Sequence, residues 1–167
     1  MRILIAPNAM KGSMSAADFA AAIGEGLLLA DPTLELVKYP LADGGDGTAE
    51  VLIKTLGGIF IPAQVHDPLG RELTCCFGWL EQSRCAVIEM AEASGLKLLS
   101  SAELNPMVAS SRGTGELIVA AVNHGAQKII LGIGGSATVD GGIGMLKALG
   151  FLLLDSEGVG INDGEMD

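Results

Sequence analysis

The sequence predicts an α/β fold: a Rossmann-like parallel sheet with helices on both faces, interrupted by an excursion of antiparallel β meander. Three observations lead there. Short apolar runs alternate with helical patterns toward both ends of the chain, the format of parallel strands joined by crossovers. Between them, β-prone runs succeed one another with only turns between, which suits a meander. Polar and glycine-rich loops adjoin the regular elements, where open α/β sheets gather ligands.

The elements follow in order. Arg2 to Pro7 is a continuous apolar run closed by a turn signal, as expected of a strand buried on both faces. Ser15 with Asp18 forms a capping-box pattern, and Phe19, Ile23 and Leu27 then recur at helical spacing. A second strand is expected at Leu34 to Lys38, then a loop at Tyr39 to Gly47, then a helix capped by Thr48 and ended by Gly57-Gly58. The meander strands are Ile59 to Val65, Glu72 to Trp79 and Cys85 to Met90, with Pro68-Leu69-Gly70 as one turn. A helical pattern returns at Gly115 to Asn123, stopped by Gly125. A strand at Lys128 to Ile133, a glycine-rich loop, a short helix through Met145 to Leu149 and a strand at Phe151 to Asp155 complete the series.

These signals divide the chain into a Rossmann-like part at 1–58 and 108–157 and an antiparallel excursion at 59–107 toward a second domain. The stretch 158–167 is polar, has no element to finish on, and reads as a truncated C-terminal end.

Composition excludes several classes. With 167 residues and 49% apolar content, the chain can bury one substantial core. A net charge of -10 with ten scattered basic residues opposes a polyanion, so nucleic acid is not an expected partner. No apolar run approaches the ~20 residues that span a bilayer, and the N-terminal run is too short for a signal peptide. Cys75, Cys76 and Cys85 are odd in number and lack metal-ligand spacing, so they read as reduced, buried thiols of a cytoplasmic protein.

Four loops could carry chemistry. Gly132 to Gly142 holds five glycines in eleven residues, which lets backbone amides approach an anion closely. Within it Gly132 to Ala137 matches the dinucleotide fingerprint G-x-G-x-x-A, with Asp155 beyond the next strand, so a nicotinamide-dependent dehydrogenase domain is an alternative. Against this, Asp140-Gly141-Gly142 delays the helix that the fingerprint requires. Asp43 and Asp46, three apart before a helix, suit Mg²⁺, which one or two carboxylates hold together with phosphate oxygens and water. Plain turn and helix-start positions suit the same residues. Lys11-Gly12-Ser13 precedes the capped helix and can meet an anion there, although no P-loop motif exists. Arg112, in Ser110 to Glu116, stands beside a helix start for which Thr114 is the expected cap. Thr138 breaks the nucleophile-elbow pattern around Ser136, and His66 and His124 lack ligand partners at metal spacing, so both default to solvated or loop histidines.

Taken together and in order, these loops resemble those of the type I glycerate kinases. The resemblance is carried by Ile5-Ala6-Pro7 through Lys11-Gly12-Ser13, by Ala42 to Thr48, by Val87-Ile88-Glu89-Met90-Ala91 with Ala93-Ser94-Gly95-Leu96, by Gly113 to Ile118, and by Gly132 to Gly142. It spans essentially the whole chain, as the N-terminal portion of a longer protein. The pattern departs at Asn8, where the family usually has Asp, and at Val139, where it often has Asn; no catalytic role is assigned to Asn8.

The resemblance implies ATP-dependent transfer of the γ-phosphoryl group to D-glycerate, at the 2-hydroxyl, with Mg²⁺. It implies catalytic roles for Lys11, Asp43, Asp46, Arg112 and Asp140, with Asp43 and Asp46 as metal ligands. Which Asp serves as base stays open. Phosphate or substrate contacts are expected from Ser13, Gly44, Gly45, Thr114, Gly115, Gly134, Gly135, Ser136, Ala137, Thr138 and Gly141. D-glycerate is the expected small-molecule partner, with neither nucleic acid nor membrane and with a homodimer left open. A non-catalytic binding module is the second alternative, and the fragment alone is expected to be inactive.

Overall fold

A computed structural model describes residues 1–160 of the chain. The elements run β1 (Arg2–Ile5), α1 (Ala16–Ala30), β2 (Glu35–Lys38), α2 (Thr48–Leu56), β3 (Ile59–His66), β4 (Glu72–Leu80), β5 (Cys85–Glu89), α3 (Met90–Ser94), a 3-10 turn at Leu96–Leu98, α4 (Arg112–His124), β6 (Lys128–Gly132) and α5 (Ile143–Ala148). Of the polar end at 158–167, residues 161–167 lie outside the described residues.

The strands form two sheets. β1 and β2 pair in parallel, Arg2 opposite Glu35 through Ile5 opposite Lys38, with α1 as the crossover. The other sheet has the order β3-β4-β5-β6: the first two pairings are antiparallel, and β5 with β6 is parallel. The α/β class therefore holds, and the meander runs straight into the second crossover. β5 is buried at all five positions, so it sits centrally and needs a partner on each edge. β4 supplies one and the apolar run of β6 the other.

This sheet has helices on both faces. Cys75, Phe77, Trp79, Ala86 and Ile88 alternate toward α4, where Leu117 and Ala121 complete the larger core. Leu80, Cys85 and Val87 point the other way, onto Ala49 and Ile53 of α2. Phe77, Ile88 and Leu117 are fully buried, and each such side chain stabilises the fold by about 1.5–3 kcal/mol. The three thiols are free, with Cys75 and Cys85 buried and Cys76 half-buried. Burial pushes the Cys75 thiol up to about 12.

Several local expectations hold. Ser15 caps α1, its hydroxyl accepting the Asp18 N–H at 3.1 Å and donating to the Asp18 carboxylate at 2.7 Å. Gly57 and Gly125 end α2 and α4 at φ 74° and 112°, a left-handed geometry that glycine adopts without steric cost.

Others are corrected. β1 is not buried on both faces: Ile5 is buried but Leu4 is 65% exposed, because α1 covers one side only. Phe151 to Asp155 forms no strand; Leu154 makes a lone bridge to Gly160. Thr48 and Thr114 are not caps. Thr48 is the first helical residue of α2 and its hydroxyl bonds Gly44 and Gly45 of the preceding loop. Thr114 lies inside α4, fully buried, donating to the Ser94 hydroxyl at 2.8 Å.

Candidate active site

The parallel strands β1, β2, β5 and β6 all send the chain from their carboxyl ends toward one cleft of about 600 Å³. β1 leads to the Asn8–Ser15 turn, β2 to Asp43, Gly45 and Asp46, β5 through α3 to Leu96 and Lys97, and β6 to Gly134 and Gly135. Loops at the carboxyl ends of parallel strands are where α/β folds place ligands. Of the expected site residues, the structure brings Lys11, Ser13, Asp43, Gly45, Asp46, Gly134 and Gly135 together here.

Each wall has a local cause. Lys11 stands on a tight turn in which Met10 and Met14 bridge and Ser13 donates to the Met10 carbonyl at 2.9 Å. Gly12 takes φ 70° at its tip. Lys11 has no hydrogen-bond or ion-pair partner among the described residues, so its ammonium is available to an anion.

The Asp43–Asp46 loop is braced from three sides. Asp43 folds back to accept the Gly45 N–H at 3.1 Å. The Thr48 hydroxyl ties Gly44 to Gly45. From β5, the buried Glu89 carboxylate accepts the Gly47 N–H at 3.1 Å and the Ala49 N–H at 2.5 Å, taking up amides at the start of α2. Burial raises the Glu89 pKa, and these two amide bonds oppose that rise without cancelling it.

Lys97 faces Asp46, its Nζ 3.2 Å from a carboxylate oxygen, and pairs also with Glu92. Burial works against its charge, but the two carboxylates outweigh burial and hold its pKa above the ordinary lysine value. Sequence pattern does not point to Lys97 or Glu89 as site residues. Glu89 sits inside a matched motif and Lys97 directly after one, yet an isolated Lys or a strand-end Glu carries no spacing signal of its own.

The glycines of 132–135 serve close approach between loops before they serve a ligand. A Cβ on Gly132 would stand 2.7 Å from the Gly44 oxygen, and one on Gly134 would stand 2.6 Å from the Gly45 Cα. The Gly134 N–H donates to the Gly44 carbonyl at 2.9 Å. The Ala137 N–H donates to the Ser94 carbonyl, and Thr138 donates to the Ser136 hydroxyl. An amide cradle over the whole of Gly134 to Thr138 is therefore not what forms. Among the described residues, the Gly135 and Ser136 amides are the two in that stretch with no acceptor.

Of the remaining expected residues, Gly44 and Ser136 are chain neighbours of lining residues, whereas Arg112, Thr114, Gly115, Ala137, Thr138, Asp140 and Gly141 do not line the cleft. Asp140 is buried and accepts bonds from the Ser111 N–H and hydroxyl, both at 2.8 Å, and from the Gly142 and Gly144 amides. Burial opposes its charge, but those donors prevail and hold the carboxyl below the usual aspartate range. It ties the start of α4 to the start of α5. Gly115 allows α5 to pack on α4, since a Cβ there would meet the Met145 carbonyl at 2.5 Å. Gly141, at φ 62°, turns the chain into α5.

Arg112 donates to Glu116 at 2.8 Å, and the same Glu116 accepts the His66 N–H at 2.7 Å and contacts its ring nitrogen at 2.9 Å. His66, the last residue of β3, is thus half-buried and paired rather than a solvated or loop residue. His124, at the end of α4, is exposed, with its ring edge-on to Trp79 and Phe77 at 5.0 and 5.9 Å.

The dinucleotide alternative fails on geometry. Its fingerprint needs a helix opening at the third small residue, but α5 begins only at Ile143, well beyond Ala137.

Similarity to known proteins agrees with the arrangement of the loops. The model of the glycerate kinase family matches residues 3–167. This chain belongs to the glycerate kinase family. It is 48% identical to a glycerate kinase of Bacillus subtilis over 98% of its own length and 43% of that protein. To the glycerate 2-kinase of Escherichia coli it is 45% identical, over 100% of its length and 44% of the relative. The crystal structure of a candidate glycerate kinase 2 from Salmonella typhimurium LT2 superposes with TM-score 0.79 at 44% identity, covering 98% of this chain and 44% of that one. This glycerate kinase family chain therefore spans less than half the length of the relatives it matches. No helix among the described residues is long and apolar enough to cross a membrane.

Proposed function

We propose that the cleft binds the phosphate chain of ATP beside D-glycerate and supports phosphoryl transfer to the 2-hydroxyl, giving 2-phosphoglycerate. The observation that carries this reading is the convergence at one cleft of Lys11, Lys97, the Asp43–Asp46 pair and the Gly135 amide, contributed by four different loops. Phosphoryl transfer asks a protein chiefly for positioning and charge neutralisation, and this set offers both.

In this reading Lys11 and Lys97 offset negative charge on phosphate or on the substrate carboxylate. The Gly135 and Ser136 amides donate to phosphate oxygens. Asp43 and Asp46 fit Mg²⁺: two carboxylates of one loop facing an open cleft leave its remaining positions to phosphate oxygens and water. When bound, Mg²⁺ would neutralise charge on the phosphates. Where one of the two carboxylates suffices to hold the metal, the other is placed to orient the attacking hydroxyl. Asp140 and Ser111 hold the start of α4, and Arg112 reaches an anion only if its exposed guanidinium leaves Glu116.

A coupled assay of ADP release with D-glycerate tests the proposal, on this chain and on one extended to the relatives' length. Glycerate-dependent turnover is expected from the longer form. Nucleotide binding without turnover in both would favour a non-catalytic binding module, and the absence of both would remove the kinase reading.

A further inference from the structure

We infer that the small apolar groove beside the cleft seats the purine ring of the nucleotide; the inference rests on the ATP-dependent reading of the cleft. The groove holds about 150 Å³ and lies between the first turn of α1 and one side of α2. Val51 and Thr55, four apart, share that side of α2, while Ala49 and Ile53 turn the other side onto the sheet. Ala17, Pro40 and Leu41 line the groove as well. The small side chain at 17 leaves room for a planar group.

Size limits what the groove can hold. Pockets for whole drug-sized ligands run to roughly 300–1,000 Å³, so this one takes a ring system but not a complete nucleotide. It adjoins the larger cleft, since Asn8, Ala9, Ser15 and Asp46 line both. A molecule with an anionic tail and a flat apolar head would fill the two together. A nucleoside triphosphate has that form, whereas a short hydroxy acid lacks the head. The exposed Glu50–Lys54 ion pair lines the groove too and offers an acceptor and a donor to the edge of a base.

Calorimetric titration of the chain with ATP and with inorganic tripolyphosphate, both in the presence of Mg²⁺, tests this. The unmodified protein should bind ATP more tightly than tripolyphosphate. Val51→Phe, which fills the groove, should weaken ATP at least tenfold and leave tripolyphosphate unchanged. Ala17→Ile fills it from the opposite wall and provides the same reading should Val51→Phe fold poorly, with thermal melting of each variant as the check. Equal affinity for the two ligands in the unmodified protein, or unchanged ATP affinity in a folded variant, overturns the groove assignment and leaves the cleft reading standing. Failure to bind either ligand in both this chain and one extended to the relatives' length overturns both.

Discussion

Glu89, the last residue of β5, accepts the N–H of Gly47 at 3.1 Å across 42 positions of sequence, and so fixes the loop carrying Asp43 and Asp46 to the central strand of the sheet. The same carboxylate takes the Ala49 N–H, joining strand and helix through one buried side chain. A wall of the cleft thereby inherits the rigidity of the core.

Glu89→Ala should therefore loosen that wall as well as lower stability. Two amides at the start of α2 would lose their acceptor, at about 1–3 kcal/mol for each buried group left unpaired. Urea denaturation should show the loss, and hydrogen exchange should accelerate at Gly47 and Ala49 before it does in β5. Unchanged exchange at those two amides would refute the bracing role.

Two buried carboxylates should titrate with opposite effect. Asp140 has a depressed pKa, so its stabilisation is complete above its unfolded value of 3.8 and is lost as pH falls through the lower folded value. Glu89 has a raised pKa, so stability declines as pH rises from its unfolded value of 4.5 through the folded one. Denaturation midpoints measured between pH 2 and 7 should show a shallower acid limb in Asp140→Asn, since Asp67 and Glu116 also have lowered pKa values, and a smaller decline above pH 4.5 in Glu89→Gln.

Asp140→Asn also separates positioning from catalysis. Removing the charge from a carboxylate that gathers Ser111, Gly142 and Gly144 should destabilise the fold by about 1–3 kcal/mol. A variant with unaltered melting and abolished turnover would instead place Asp140 among the reacting groups.

Gly134→Ala should cost about 1–3 kcal/mol by overpacking, since its Cβ would press on the backbone of Gly45. Gly12→Ala meets nothing within 4 Å and bears only the left-handed backbone, at roughly 1–2 kcal/mol. The two differ in kind. Gly134→Ala should also disturb the loop at 43–47 in amide chemical shifts, and Gly12→Ala should not.

Lys97→Met should weaken anion binding in the cleft by about tenfold, near 1.4 kcal/mol, because it removes one of two lysines there and leaves Asp46 without its partner. Phosphate titration followed by NMR would read this directly. Lys97→Arg should recover much of the affinity.

Much of the architecture was legible in the chain. The Ser15 cap, the glycine stops of α2 and α4, the three meander strands and the apolar run of β6 are local signals, set by hydrogen bonding and periodicity within a few residues. So were the loops that meet at the cleft, because lysine, paired aspartates and clustered glycines announce themselves by type and spacing.

Tertiary structure decided what local pattern cannot carry. Whether β6 pairs with β5 or with β1 depends on which strand edge lies beside it, and nothing within Lys128–Gly132 names its neighbour. Whether an aspartate faces a ligand or its own backbone depends on the donors brought to it from elsewhere, which is why Asp140 ends beneath Ser111 while Asp46 reaches the cleft. The glycines of 132–134 followed the same rule: their number was plain in the sequence, but the backbone of Gly44 and Gly45 pressed against them belongs to a loop nearly ninety residues earlier.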